Sequence, residues 1–510
     1  GCPYPIAKLL PGRIAWVTLP RLKGEPSMKH NIGYFLIASV VFVCSCGGIN
    51  SSGGGNPLNG MTYVFQYDNS VDAITALAWR IDPYNGEHQA LPNPPLPPIF
   101  GSNRAIGRDI EASVHGHLMV CHFAHPAFSD GRVTAFTADF ETGALVQTGE
   151  VTLHANQLPL NAQIDNDVII VCEMEQSAFV AGARAGDAIS LIKYDASTGA
   201  LSHDSVDGVY ITYDLPEVCF YLGHSLVIHN DNVYVVGQAI NPIPGVTGSA
   251  IFLIHLRMDR EAGTLDFATQ IPFERRPGRI YGIGSRNWRA FAAAGGNGLV
   301  IACDQLEDDN STLFGFNLAT DGTPSVAGFY DTGEVPTLAD GNPGRPMYYN
   351  GRFYCSVPTP QFDTIRAFDF SGGAFRQAPG IPDFDANGEH TWGLFSFRDL
   401  IYYSSLDSDL TPNEHIMRAA KITETGELVE AEHCSFGISD GETLEPFFDR
   451  FHRQGRLFAV PAGNGTASTQ DLRVMTSDLV DGTMADVGTY PLPAGGGNIS
   501  NLPAIILEPQ

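Results

Sequence analysis

Arginine is scarce in this chain and unevenly placed. The sequence holds 29 Lys and Arg among 510 residues, yet five arginines fall within residues 275–289, "RRPGRIYGIGSRNWR". Arg104, Arg108, Arg286, Arg289 and Arg345 stand at the entries to short apolar segments, with Trp288, His390 and Trp392 in the same kind of place. Guanidinium groups gathered on an acidic body would focus an anion and grip a carboxylate or phosphate through paired N–H bonds. Trp288 or Trp392 would add an apolar wall. The same arginines would also serve as structural partners for some of the 56 Asp and Glu residues, and sequence alone does not separate the two roles.

Three other patterns carry candidate chemistry. "PDFDANGEH" places Asp383, Asp385 and Asn387 two residues apart ahead of Gly388, the opening of a calcium loop. The twelfth position is Leu394 instead of the bidentate Glu, and Asp, Asn and Gly are also the common residues of an ordinary turn. Calcium is the one ion the sequence suggests, and it suggests no other cofactor. "HGHLMVCHFAHP" carries His115, His117, His122 and His125, but an extended strand scatters such residues over both faces and the spacing matches no zinc pattern. Ser225 follows His224 in "GHSLV", within a strand start, and the chain lacks G-x-S-x-G, H-E-x-x-H and P-loop motifs.

The elements that must position these residues repeat. Eight segments follow one plan, an alternating apolar strand ending in a glycine turn, as in "RVTAFTADFETGAL" (132–145), "AISLIKYDASTGAL" (188–201) and "TLFGFNLATDGTP" (312–324). Ahead of each stands a tight polar turn and a short apolar strand, such as "DNDVIIV", "NDNVYVV" and "RDLIYYS". The starts of these strands are spaced by 47 to 66 residues. Four short strands per unit at such a period specify an all-β fold, a β-propeller of eight four-stranded blades. The chain opens on a second strand, "TYVFQY", and closes on a first strand, "NLPAIILEP". Pairing of the N- and C-terminal strands would complete one blade and close the ring. In a propeller the segments entering the innermost strands gather at one end of the central channel, so the arginines and tryptophans would converge there.

The first 60 residues have a different character. Ile32 to Cys44 is an apolar run of about 13 residues, too short for the roughly 20 of a membrane span. Lys29 and His30 precede it and small residues follow, the order of a secretory signal starting at Met28. Residues 1–27 then read as upstream sequence, 28–45 as signal peptide, 46–60 as a Gly/Ser-rich tether and 61–510 as the propeller domain. Val43-Cys44-Ser45-Cys46 resembles a bacterial lipobox, which implies lipidation of Cys46 and a lipid-anchored protein of the bacterial cell envelope, at the outer membrane or cell surface. The net charge is −27 over the whole chain. Such a surface repels nucleic acid and excludes it as a partner.

The turn wording Asp-x-x-Thr-Gly-x-Leu, in "DFETGAL" and "DASTGAL", resembles the lactonase-type propellers that include 6-phosphogluconolactonase-like proteins. The resemblance spans nearly all of residues 61–510. It implies seven blades as the usual number, against the eight units counted, and it transfers no catalytic residue. Two functions remain open. One is a tethered, monomeric recognition or scaffold module binding a small anion or a protein. The other is a lactone-opening hydrolase acting at the channel mouth. Cys121, Cys172, Cys303 and Cys355 recur at similar strand positions, where buried thiols between blades are expected in place of disulfides.

Overall fold

The computed structural model describes residues 60–68, 73–82, 87–91, 99–100, 110–112, 116–123, 130–155, 157–175, 187–203, 209–211, 219–240, 249–272, 290–305, 310–331, 346–357, 363–386, 389–407, 414–437, 452–454, 457–463, 470–492 and 499–507. Their strands form eight sheets of four or five strands each, the blades of a β-propeller. Blade 1 runs from inside to outside through Ile499–Leu507, Gly60–Asp68, Ala73–Ile81 and His88–Ala90. Blades 2 to 8 begin on the inner strands Ile110–Ala112, Gln157–Asp165, Cys219–His229, Ala290–Gly295, Met347–Tyr349, Glu389–Phe397 and His452–Gln454. Neighbouring blades pack in chain order, and the inner strand of blade 8 touches that of blade 1.

The ring closes as the two half-blades of the sequence require. Met61 lies opposite Leu507, Tyr63 opposite Ile505 and Val64 opposite Ala504 in antiparallel register. This leaves the inner edge of Gly60–Asp68 paired instead of open.

A blade's second strand has neighbours on both faces, which is why its sequence is apolar throughout instead of alternating. Val168, Ile169, Ile170, Val171 and Cys172 are all fully buried. Val168, Ile170 and Cys172 pack towards blade 4 against Leu226, Val233 and Val235. Ile169 and Val171 pack towards blade 2 against Met119, Cys121 and Val133. The core is thus a circle of blade-to-blade interfaces. Cys121, Cys172 and Cys355 are buried in three different interfaces. Burial pushes the free Cys355 thiol well above its usual range. The side chain of Cys303 lies outside the described residues.

Polar latches join the same interfaces. Tyr63, Tyr234 and Tyr354, each on a second strand, donate their hydroxyls to the carbonyls of Gly143, Gly322 and Gly426 in the next blade at 3.1, 2.7 and 3.0 Å. These glycines sit in the turns between third and fourth strands at φ 76°, 81° and 90°, a region that only glycine enters cheaply. In blade 2 Met119 holds the tyrosine position, and the contact to the next blade comes from His117, two residues earlier, whose Nε2 donates to the Ala196 carbonyl at 3.1 Å while Nδ1 bonds the Thr137 hydroxyl at 2.7 Å. Both ring nitrogens are therefore spent on structure. His115 and His125 lie outside the described residues, as does the side chain of His122.

Candidate functional site

The two faces of the ring are built differently. Turns between first and second and between third and fourth strands emerge on one face, and connections between second and third strands and between blades emerge on the other. The Asp-x-x-Thr-Gly wording belongs to the first face. Asp139 accepts the Glu141 N–H at 2.9 Å and the Thr142 hydroxyl at 2.6 Å, and Thr142 accepts the Ala144 N–H at 3.2 Å. Asp195 repeats this with Ser197, whose hydroxyl holds the carboxyl down at about 2. The motif is turn chemistry, remote from the channel entry.

Several described basic residues join one blade to the next. Arg260 bonds Asp231 at 2.5 Å and Asp167 at 2.7 Å, and pairs with Asp165, joining blade 4 to blade 3. Burial works against its charge, but these three carboxylates hold its pKa above the ordinary value. Arg257 reaches Asp321 of blade 5 at 2.6 Å, and Arg366 bonds the Tyr330 hydroxyl of blade 5 at 2.6 Å. Lys193 reaches the Glu261 carbonyl and Lys421 the Val480 carbonyl. For these cations the inter-blade structural role is the one observed.

The other face is the channel mouth, where the inner strands begin. Four of them are distorted, mostly in the half nearest the mouth. Blade 3 loses register between Pro159 and Asn161, blade 4 between Leu222 and Ser225, blade 7 on both sides of Trp392, and blade 1 between Asn501 and Ala504. Bulges re-aim side chains and backbone groups away from ladder pairing, and they gather at barrel rims and next to active sites. His224 falls within the blade 4 bulge and His390 within the first bulge of blade 7. Ser225 has a structural role there. Its hydroxyl accepts the Ala292 N–H at 2.9 Å and ties the inner strands of blades 4 and 5 together.

Of the residues expected at this mouth, His390 and Trp392 are placed on the inner strand of blade 7. Arg104, Arg108, Arg286, Trp288, Arg289 and Arg345 lie outside the described residues. The strands that follow them, from Ile110, Ala290 and Met347, all start at the mouth. Asp383 accepts Arg366 Nε at 2.9 Å and Gln377 Nε2 at 2.6 Å, so its carboxylate already has two protein donors. Asp385 lies in a short strand opposite Thr364, and Asn387 is outside the described residues. Among the described residues no group of three or more His, Cys, Asp and Glu is placed to hold a metal.

One cluster near the mouth was not foreseen. Glu173, fully buried on the second strand of blade 3, accepts the His154 backbone N–H at 3.0 Å and the His154 Nδ1–H at 3.1 Å. It also accepts the Ser190 hydroxyl, and Ser190 Oγ lies 3.2 Å from His154 Nδ1. A nucleophilic triad needs the carboxylate and the serine on opposite ring nitrogens. Here both meet the same nitrogen, and the arrangement is a clamp. The sequence signal was a lone Glu ending the apolar run "VIIVCE".

No family model and no curated protein matches the chain. Solved structures do. A Bacteroides fragilis protein assigned as a 6-phosphogluconolactonase is 11% identical, with 89% of this chain and 100% of that chain covered and a TM-score of 0.43. The Pseudomonas aeruginosa periplasmic gluconolactonase is 14% identical over 87% of this chain and 99% of its own, at 0.43. A Lactobacillus plantarum protein is 12% identical over 88% and 100%, at 0.41. Likeness at this level does not bear on what the chain binds.

Proposed function

We propose that the propeller binds a small polyhydroxylated acid or its lactone at the channel mouth and opens the lactone with water. The observation that carries this reading is the concentration of inner-strand bulges at one rim, in blades 1, 3, 4 and 7, opposite the rim occupied by structural turns. His224 and His390 stand at two of these bulges, and imidazole suits proton transfer near neutral pH. In the reaction, water adds to the lactone carbonyl and gives its proton to an imidazole. The ring C–O bond then breaks, and the proton passes to the departing alkoxide. The product is a hydroxy acid, whose carboxylate the mouth arginines would hold. The lipobox at Val43–Cys46 supports an envelope location for this chemistry.

The test is alkali uptake by the full chain on a panel of sugar lactones, with calorimetric titration of the matching sugar acids. Turnover that falls at least tenfold in His224→Ala or His390→Ala supports the hydrolase. Acid binding without turnover returns the protein to a recognition module. Neither binding nor turnover removes the mouth as a site.

A further inference from the structure

One residue of the Asp-x-x-Thr-Gly-x-Leu wording takes no part in the turn itself. The second position after the turn glycine is Leu145, Leu201, Leu265, Pro324, Phe375, Leu428 and Met484 in blades 2 to 8, at or beside the start of each outer strand. Five of these are buried, and Leu201 and Leu428 pack against buried clusters. Leu145 joins Met61, Tyr63 and Ala78 of blade 1, Leu265 joins Val168 and Ile170 of blade 3, and Phe375 joins Val300 and Leu313 of blade 5. Each is an apolar plug set into the blade before its own.

The receiving outer strand is shaped for the plug. In blade 2 it carries one extra residue, Thr148, between Gln147 and Gly149, and the Thr148 hydroxyl donates to the Gly199 carbonyl of blade 3 at 3.2 Å. A Cβ on Gly149 would lie 3.1 Å from Leu201 Cγ, so glycine leaves the room that the plug fills. In blade 5 the extra residue is Ala327, whose carbonyl accepts the Phe375 N–H at 3.4 Å. A Cβ on Gly315, opposite Gly328, would run into the Phe375 ring.

Blade 1 departs from this plan. The residue in the plug position, opposite Ile81 at the end of the third strand, is His88. It is partly buried and meets blade 8 through polar and ring contacts. Its N–H donates to the Tyr490 hydroxyl at 3.2 Å, the two rings lie 4.9 Å apart, and Nε2 is 3.0 Å from Thr62 Oγ1 of its own blade. Ala459 of blade 8 holds the place of the latch tyrosine, two residues beyond the Gln454–Leu457 pair as Tyr234 is beyond His229–Asn232, and has no hydroxyl to donate. The middle of this seam is apolar like the others, with Val64, Trp79 and Ile81 against Leu472, Val474 and Leu492. Its difference lies at the outer end. There the three outer strands of blade 1 are held to the inner strand Ile499–Leu507, which follows blade 8 in the chain, by hydrogen bonds alone.

We propose that the ring has one opening joint, the seam between blades 8 and 1, which parts from its outer end while the seams closed by apolar plugs stay shut. Withdrawing a leucine or phenylalanine from its socket returns apolar surface to water. Withdrawing an imidazole returns less, and its polar atoms regain hydration. Local opening is therefore cheapest where the plug is His88.

The experiment is thiol labelling of the full chain under native conditions, read peptide by peptide in a mass spectrometer. Cys121, Cys172 and Cys355 report the seams of blades 2 and 3, 3 and 4, and 5 and 6. Val474→Cys, at a fully buried position, places a thiol in the seam of blades 8 and 1. The introduced thiol is expected to react at least tenfold faster than the three native ones. Adding His88→Leu should slow it at least fivefold and leave the native three within twofold. In the reverse direction, Leu201→His in the parent chain should speed Cys121 and leave Cys172 and Cys355 unchanged. An introduced thiol that reacts at the rate of the native three overturns the joint. A fast thiol that His88→Leu does not slow, or a Cys121 that Leu201→His does not speed, overturns the plug as its cause.

Discussion

The Tyr234 hydroxyl meets the Gly322 carbonyl at 2.7 Å across the interface of blades 4 and 5. Burial and the nearby Asp321 push its phenol up to about 12, so the hydroxyl remains a donor at any physiological pH. The same contact recurs at Tyr63 and Tyr354, so three of the eight blades share one side-chain device.

Tyr234→Phe should therefore lower unfolding free energy by about 1 kcal/mol, the net worth of a buried neutral hydrogen bond, with a carbonyl left behind. Urea titration measures it. Tyr63→Phe and Tyr354→Phe should give similar losses, and no ligand effect is expected because the latches lie towards the face opposite the mouth. A loss below about 0.3 kcal/mol in all three contradicts the latch.

His255 makes stability depend on pH. It is fully buried, stacks on Tyr234 and bonds Asn232 Oδ1 through Nε2 at 2.7 Å. Burial first, and then Arg257, hold its pKa down at about 4. Between about 6.5 and about 4 the unfolded chain takes up a proton there that the folded chain does not. Stability should fall as pH drops through that window, by up to about 1.4 kcal/mol per unit from this group. Melting curves of His255→Phe should slope less over the same range than those of the parent.

Glu173 and its three donors should respond as a unit. Glu173→Ala leaves the His154 N–H and the Ser190 hydroxyl buried without their acceptor, a change expected to cost about 3–5 kcal/mol. Glu173→Gln keeps one acceptor oxygen and should cost less than half as much. Equal losses would mean that the negative charge, and not the acceptor geometry, holds the clamp.

The anchor is testable by fractionation. If Cys46 receives lipid, Cys46→Ala moves the protein from the membrane to the soluble fraction, because the apolar run of Ile32 to Cys44 is too short to hold it alone. Retention of the variant in the membrane refutes lipidation as the tether.

Architecture was legible in the sequence because every blade repeats the same local chemistry. The strand starts read at Tyr63, Val168, Val233 and Leu400 fall at or within a few residues of the starts of second strands, and the terminal half-blades pair as expected. The clamp at Glu173 was not legible, since His154, Glu173 and Ser190 come from three strands and two blades. Nor were the inner-strand bulges, although Leu-Pro in "QLPLN" and "NLPAI" hinted at them, proline being confined to bulges and edges within sheets. The unit count rests on repetition, whereas the mouth rests on departures from it.

Pairing of Met61 with Leu507 also sets an order of events during synthesis. Blades 2 to 8 can form as their strands leave the ribosome, each local in the chain. Blade 1 waits for the last strand, with more than 400 residues between the partners. Bringing such distant segments together costs on the order of 5 kcal/mol in chain entropy unless the intervening arc is already rigid. Until then the nascent protein is an open arc with the edge of Gly60–Asp68 exposed, and the terminal strand of a second molecule fits that edge as well as its own. Crowded newly made chains would therefore be prone to exchange Ile499–Leu507 between molecules, and slow dilution on refolding should favour the monomer.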